Sequence, residues 1–243
     1  MPTEVRADRA LQAVRSLPVF RGLSPEEQRQ IAALATVREY KRGDHIWREG
    51  ESAEALTLIV RGRVKVVRET GGAGDVIIEI FGEGEPVGAI AVYNYMPYPA
   101  GAVCLEPVTL LSIPRRDYFE LLDRHPEVAR ALIRELTKLV LALARKVQEM
   151  RGQRVEVRIA QLFLTLAERM GKETRAGVEI QIHLSRQEIA DLVGTTVESA
   201  IRVLSRWGRE RLVITGENRF VIPSRERLHA VVEADAADGE RSP

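Results

Sequence analysis

The chain has 243 residues, with 36 Lys+Arg against 35 Asp+Glu, so it is long enough for two domains and too evenly charged to coat nucleic acid along its whole length. Its single cysteine, Cys104, excludes an intrachain disulfide framework, a CxxC zinc site and an all-cysteine iron–sulfur cluster within one chain, and it fits a reducing compartment. No apolar run approaches the roughly 18–20 residues of a membrane helix, and the N-terminus has no signal-peptide apolar core, which predicts a cytoplasmic protein with no membrane partner.

The ends, residues 1–8 and 234–243, are small, charged and unpatterned, and are expected to fray. Residues 10–36 read as short helices. Ser24-Pro25-Glu26-Glu27 is a helix start: an N-cap, a proline in the first turn and acids at the positive end of the dipole. From 37 to 114 short Val/Ile-rich runs (56–60, 64–67, 76–81) alternate with Arg61-Gly62, Gly71-Gly72 and Gly82-Glu83-Gly84. Many brief strands at regular spacing predict a small antiparallel β-barrel or jelly roll.

Residues 126–150 predict one long helix. Ala129, Leu132, Leu136, Leu139, Leu143 and Met150 recur in alternating three- and four-residue steps, with polar Lys146 the interruption, as in a coiled-coil seam. Ile133, Val140, Ala144 and Val147 widen the stripe. One side is therefore expected to pack on the barrel while the Leu132, Leu136, Leu139 and Leu143 seam faces a second copy; the alternative is a core helix within one subunit. A hinge is expected at 151–153, then a helix over 155–170.

Residues 185–202, SRQEIADLVGTTVESAIR, carry the most specific pattern. Ser185 with Glu188 is a capping-box start. Ile189, Ala190 and Val193 recur at helical spacing, and Gly194 ends the helix as a left-handed cap. Thr195 or Thr196 begins a second helix with apolar Val197, Ala200, Val203, Leu204 and Trp207 on one side and Glu198, Ser199, Arg202 and Arg206 on the other. A helix, a glycine turn and a second helix make a unit that reads the major groove of double-stranded DNA. Arg202 can bind guanine O6 and N7, and Glu198 can accept from cytosine N4. The competing readings are a capping role for Glu198 at Thr195, or an ordinary surface ion pair between Glu198 and Arg202. The segment directly after the second helix favours the groove: residues 212–215, a Gly216-Glu217-Asn218 turn and residues 219–222 predict a β-hairpin, and hence a winged helix-turn-helix. Ser185, Thr195, Thr196, Arg206, Arg209, Arg211 and Arg219 are then placed to meet phosphates, which position the protein rather than specify sequence. Charge is consistent with this: residues 1–150 are neutral, 151–229 carry net +4, and 230–243 carry net −3.

With a glycine-rich barrel, a long central helix and a winged helix-turn-helix in that order, the chain resembles the CRP/FNR family of bacterial transcription regulators, from about residue 15 to about residue 230. The motifs that carry the resemblance are residues 185–202 and the barrel spacing of Gly43-Asp44, Glu49-Gly50, Gly62 and Pro114. The resemblance implies an α+β fold with a sensor over 1–125, a dimerisation helix and hinge over 126–152, a winged helix-turn-helix over 153–230 and a disordered acidic tail over 231–243. It implies a homodimer on a palindromic site, with RNA polymerase as a further partner. It also places Glu198 and Arg202 on a G·C pair of the half-site. The FNR branch has serine where this chain has Ile201, which can touch a thymine methyl but cannot hydrogen-bond.

The sensor departs from the family pattern. Cyclic-nucleotide binders of this family carry Gly-Glu at a short pocket helix for the ribose, and Arg followed by a hydroxyl residue about ten positions on for the phosphate. Here Gly88 is followed by Ala89, and Pro99 and Ala100 stand where the Arg and hydroxyl are expected. A buried phosphate with no charge partner costs several kcal/mol, which argues against cyclic AMP or cyclic GMP in that mode. The expected alternative is an apolar pocket around Tyr93, Tyr95, Met96, Tyr98 and Cys104. It could hold a haem, with His45, His125, Cys104 or a tyrosine as axial ligand, a small apolar effector, or nothing but its own core.

No metal site and no catalytic constellation is read: there is no HExxH, no GxxxxGK[ST] and no Ser/His/Asp arrangement, and His45, His125, His183 and His229 are scattered. A regulator, not an enzyme, is expected. A ligand-binding or interaction module that no longer touches DNA is the competing class.

Overall fold

The computed structural model describes residues 3–68, 76–149, 153–216 and 219–239. The chain divides into two compact units, Met1–Ala142 and Leu143–Pro243.

The first unit opens with α1 (Thr3–Ser16), a 3-10 turn (Pro18–Phe20) and α2 (Pro25–Leu34). α1 covers most of the stretch expected to fray, because Ala10, Ala13 and Val14 fall at helical spacing and are buried in the sensor core. α2 starts as its sequence requires. Ser24 Oγ accepts the Glu27 N–H at 3.3 Å and Glu27 Oε2 accepts the Ser24 N–H at 2.7 Å.

Strands β1 (Thr36–Tyr40), β2 (His45–Trp47), β3 (Ala55–Arg61), β4 (Val64–Arg68), β5 (Val76–Phe81) and β6 (Pro86–Val87) come next, then α3 (Ala89–Tyr93), β7 (Gly101–Cys104) and β8 (Val108–Pro114). They form two four-stranded antiparallel sheets, β1-β8-β3-β6 and β2-β7-β4-β5, so the architecture is jelly-roll-like rather than a closed barrel. Leu56, Leu58, Leu110 and Leu111 from one sheet and Val64, Ala102 and Cys104 from the other share one buried cluster. Gly62 makes the turn after β3 at φ +91°. A Cβ there would meet the Pro107 carbonyl oxygen at 2.5 Å, which no side chain tolerates. The expected Gly71-Gly72 turn lies outside the described residues.

α4 (Arg115–Arg124) leads to α5 (Pro126–Glu149), the long helix expected from the apolar spacing. Its faces are the reverse of those expected. Leu132 is 4% exposed, and Leu136 and Leu139 pack on the sensor core beside it, whereas Ile133, Val140 and Leu141 stand 61%, 63% and 53% exposed. Both stripes repeat about every seven residues, so periodicity alone could not say which one the subunit keeps. Leu143 is half-buried; the side chains from 145 to 150 and the hinge at 151 and 152 lie outside the described residues.

The second unit contains α6 (Val155–Met170), β9 (Gly171–Thr174), β10 (Gly177–Ile180), α7 (Arg186–Val193), α8 (Val197–Arg209), β11 (Ile214–Thr215), β12 (Phe220–Ile222) and α9 (Arg225–Gly239). The expected hairpin is β11–β12. It is joined by an unforeseen hairpin in one sheet, β11-β12-β10-β9. Phe163 of α6 meets Phe220 edge-on at 5.0 Å, and Trp207, Ile189 and Ile222 complete the buried interior. The stretch expected as a disordered tail is helical to Gly239, as α9. Ser224 Oγ caps it by accepting the Arg227 N–H at 3.2 Å, Leu228 is fully buried, and alanines carry the helix onward. No helix among the described residues is long and apolar enough to cross a membrane.

Candidate DNA-binding interface and sensor cradle

The helix-turn-helix is built by its caps. Ser185 Oγ accepts the Glu188 N–H at 3.1 Å, and Glu188 Oε2 accepts the Ser185 N–H at 2.9 Å, which closes the box that starts α7. Gly194, at φ +66°, ends α7 in the left-handed region. Arg158 Nη1 on α6 donates to the Gly194 carbonyl at 3.2 Å and pins the turn. Thr196, not Thr195, caps α8: its hydroxyl accepts the Ser199 N–H at 3.3 Å. Ala200, Val203, Leu204 and Trp207 then bury one side of α8, and Glu198, Ile201, Arg202 and Arg209 are left exposed on the rest.

This geometry decides between the readings of Glu198. The cap is made by Thr196 and Ser199, so Glu198 is not a capping residue. Among the described residues no ion pair joins Glu198 to Arg202; the pairs on this helix belong to Arg206. Two outward, uncommitted polar groups four residues apart share one face of α8.

The expected phosphate contacts divide. Ser185 and Thr196 are exposed, Thr195 is half-buried, and Arg209 and Arg211 are exposed. Arg206 is committed to Glu156 of α6 at 2.7 Å, a hydrogen bond that raises the guanidinium pKa further. Arg219 donates to Glu179 of β10 at 3.2 Å. Both are at the surface, where such pairs are weak and exchangeable. Arg186 is a basic residue that motif spacing does not single out. It comes directly after the N-cap of α7, donates through Nη2 to Thr215 Oγ1 on β11 at 3.3 Å, and its buried Nη1 has no hydrogen-bond partner among the described residues. Its only sequence signal is a cation directly after a capping serine.

The sensor residues do not form the single pocket expected. Tyr93, Tyr95 and Met96 are exposed, and Tyr95, 67% exposed at φ 53°, lies outside flat against Phe119 at 5.2 Å. Ala89, Tyr98, Ala100 and Cys104 are buried, and Pro99 is exposed. Tyr98 stacks on Trp47 with ring centroids 4.0 Å apart and planes 11° from parallel. Trp47 Nε1 donates to the Ala100 carbonyl at 3.2 Å. Burial, then the charges of Glu51 and Glu54, push the Tyr98 hydroxyl up to about 12. Trp47 is a residue that sequence pattern does not single out; a tryptophan inside a short strand is its only cue.

The candidate haem ligands are dispersed. His45 lies opposite Val103 on β2 and β7, on the other sheet face from Cys104. His125 ends α4, with Nδ1 3.3 Å from Glu127 and 3.6 Å from Glu27. Cys104 is buried, and burial, then Asp44, push its thiol up to about 12. These residues do not fit a haem site. Among the described residues no group of three His, Cys, Asp or Glu side chains could hold a metal ion.

Comparison with known proteins agrees with the fold. Residues 37–125 match the cyclic nucleotide-binding domain and residues 157–231 the Crp-like helix-turn-helix domain. The chain is 28% identical to the "Cyclic AMP receptor protein" of Thermus thermophilus, over 84% of this chain and 91% of that one. It is 23% identical to the "CRP-like cAMP-activated global transcriptional regulator" of Mycobacterium tuberculosis, over 86% of this chain and 94% of that one. The solved structure of FixK2 from Bradyrhizobium japonicum superposes with a TM-score of 0.70 at 22% identity, covering 81% of this chain and 96% of that one. With both domain models matched in order and relatives aligned nearly end to end, the chain belongs to the CRP/FNR family of DNA-binding transcription regulators.

Proposed function

We propose that the protein acts as a homodimer that reads a palindromic DNA site with α8 and carries no catalytic activity. The observation behind this reading is the outward, uncommitted pair Glu198 and Arg202 on a helix whose other side is fully packed. Arg202 reads a guanine and Glu198 the cytosine amine, and Ile201 adds contact to a thymine methyl. Ser185, Thr196, Arg209 and Arg211 take phosphates, joined by Thr195 and by Arg206 and Arg219 once the surface ion pairs of those two arginines exchange. A phosphate also supplies the acceptor that Arg186 Nη1 lacks. Dimerisation uses the exposed Ile133, Val140 and Leu141 of α5, since Leu132, Leu136 and Leu139 are spent on the subunit's own core. A dimer places two copies of α8 one duplex turn, about 34–36 Å, apart. RNA polymerase is the further partner, and the cytoplasm the compartment.

Selection from random duplexes tests this reading. An enriched inverted repeat with a G·C pair in each half-site is expected. Recovery of no site above non-specific affinity would overturn it in favour of a module that does not read DNA.

A further inference from the structure

The two segments that hold a cyclic nucleotide in relatives, here residues 88–89 and 99–100, are bridged by this chain's own aromatic side chains. At one end the Tyr98 ring lies so close to Gly88 that a Cβ there would sit 2.6 Å from Tyr98 Cε1 and 3.0 Å from Trp47 Cζ2. At the other end the indole N–H of Trp47 is bonded to the Ala100 carbonyl. Main-chain bonds clamp the pair from both sides: the Tyr98 N–H donates to the Glu51 carbonyl at 2.9 Å, and the Tyr98 carbonyl accepts from the Gly50 N–H at 2.8 Å. Ala89 and Ala100, in the positions of the ribose and phosphate ligands, are buried. The charges that act on Tyr98 most strongly are the carboxylates Glu51 and Glu54, with Arg115 opposing them less. Arg115 is itself paired with Glu54 at 2.7 Å, and exposed Arg68 donates to the Pro99 carbonyl at 3.3 Å. An incoming phosphate would meet two stacked rings, with the carboxylates Glu51 and Glu54 nearby.

We propose that Tyr98, stacked on Trp47, is a built-in occupant of the sensor cradle, so that the cradle is filled with no small molecule and ignores cyclic nucleotides. The site it fills is shaped for a phenol ring. Removing that ring from the side chain leaves a cavity for a free phenol, as truncation in a packed core leaves a void that small aromatics can enter. This goes beyond the DNA-binding reading and does not rest on it, because none of its readouts involves DNA.

The test uses the full chain, Tyr98→Ala and Tyr98→Phe, each melted with and without cyclic AMP, cyclic GMP and millimolar p-cresol, which is the tyrosine side chain as a free molecule. Wild type is expected to melt at one temperature under all conditions. Tyr98→Ala should melt at least about 5 °C lower and regain part of that loss in p-cresol alone. Tyr98→Phe keeps the ring and should behave as wild type. If Tyr98→Ala gives no folded protein, Tyr98→Val carries the same expectation with a smaller void. The proposal is overturned if either cyclic nucleotide raises the wild-type melting temperature, if p-cresol stabilises wild type as much as the truncated variant, or if the truncated variant gains nothing from p-cresol.

Discussion

On α8, Glu198 and Arg202 stand outward without partners among the described residues, whereas in the sensor Ala89 and Ala100 are buried and Trp47 stacks on Tyr98. One region keeps hydrogen-bonding capacity unspent, and the other has exchanged it for packing. Unspent capacity at a surface costs little, because water satisfies it until a partner arrives. In a buried core the same groups would be orphaned, so small apolar side chains and close packing go together there. The contrast is between a surface with exposed polar side chains on α8 and a sensor whose matching region is an apolar core.

Four measurements sharpen or break that contrast, the largest effect first. Leu132→Ala removes a buried side chain from the sensor core and should cost about 2–5 kcal/mol in chemical unfolding. Ile133→Ala, one residue on and outward, should leave unfolding nearly unchanged and instead weaken self-association in sedimentation. Equal effects would mean that α5 presents no distinct faces. Cys104 should alkylate at least about 100-fold slower than free cysteine near pH 8. Its rate should climb about tenfold per pH unit, because deprotonation is deferred toward 12. Fast, pH-flat reaction would show that the sensor opens. Ser185→Ala removes the cap of α7 and should lower stability by about 1 kcal/mol on thermal melting of the full chain. Arg209→Ala should weaken binding to all duplexes alike and reduce the salt slope by about one, with no change in site preference.

Much of the fold is legible in the sequence, and the failures have physical causes. Local signals give local structure: the N-cap at Ser24, the capping box at Ser185 and the turn at Gly194 stand as read, because caps depend on residues three or four apart. Spacing alone does not say which stripe of α5 packs on the subunit's own core, because two apolar stripes on one helix are equivalent until the sheets beneath them are placed. The end of α9 reads as a tail because residues 231–243 are small and acidic, whereas the helix begins at Arg225 and its alanines continue it to Gly239. The aromatic cluster of the sensor reads as one group, yet Tyr95 and Tyr98, three residues apart, end on opposite sides of burial. Trp47 lies about fifty residues before Tyr98, a separation that no sequence window bridges. That Ala89, Pro99 and Ala100 are small and uncharged is readable; the stacking of Tyr98 on Trp47 is not.

The most direct measurement is equilibrium binding of wild type and Arg202→Ala to the selected site and to its single-base variants. Loss of about 1–3 kcal/mol of discrimination is expected at the guanine position alone, with the other positions read as before. An Arg202→Ala protein that binds the same site with undiminished affinity and selectivity would contradict the account.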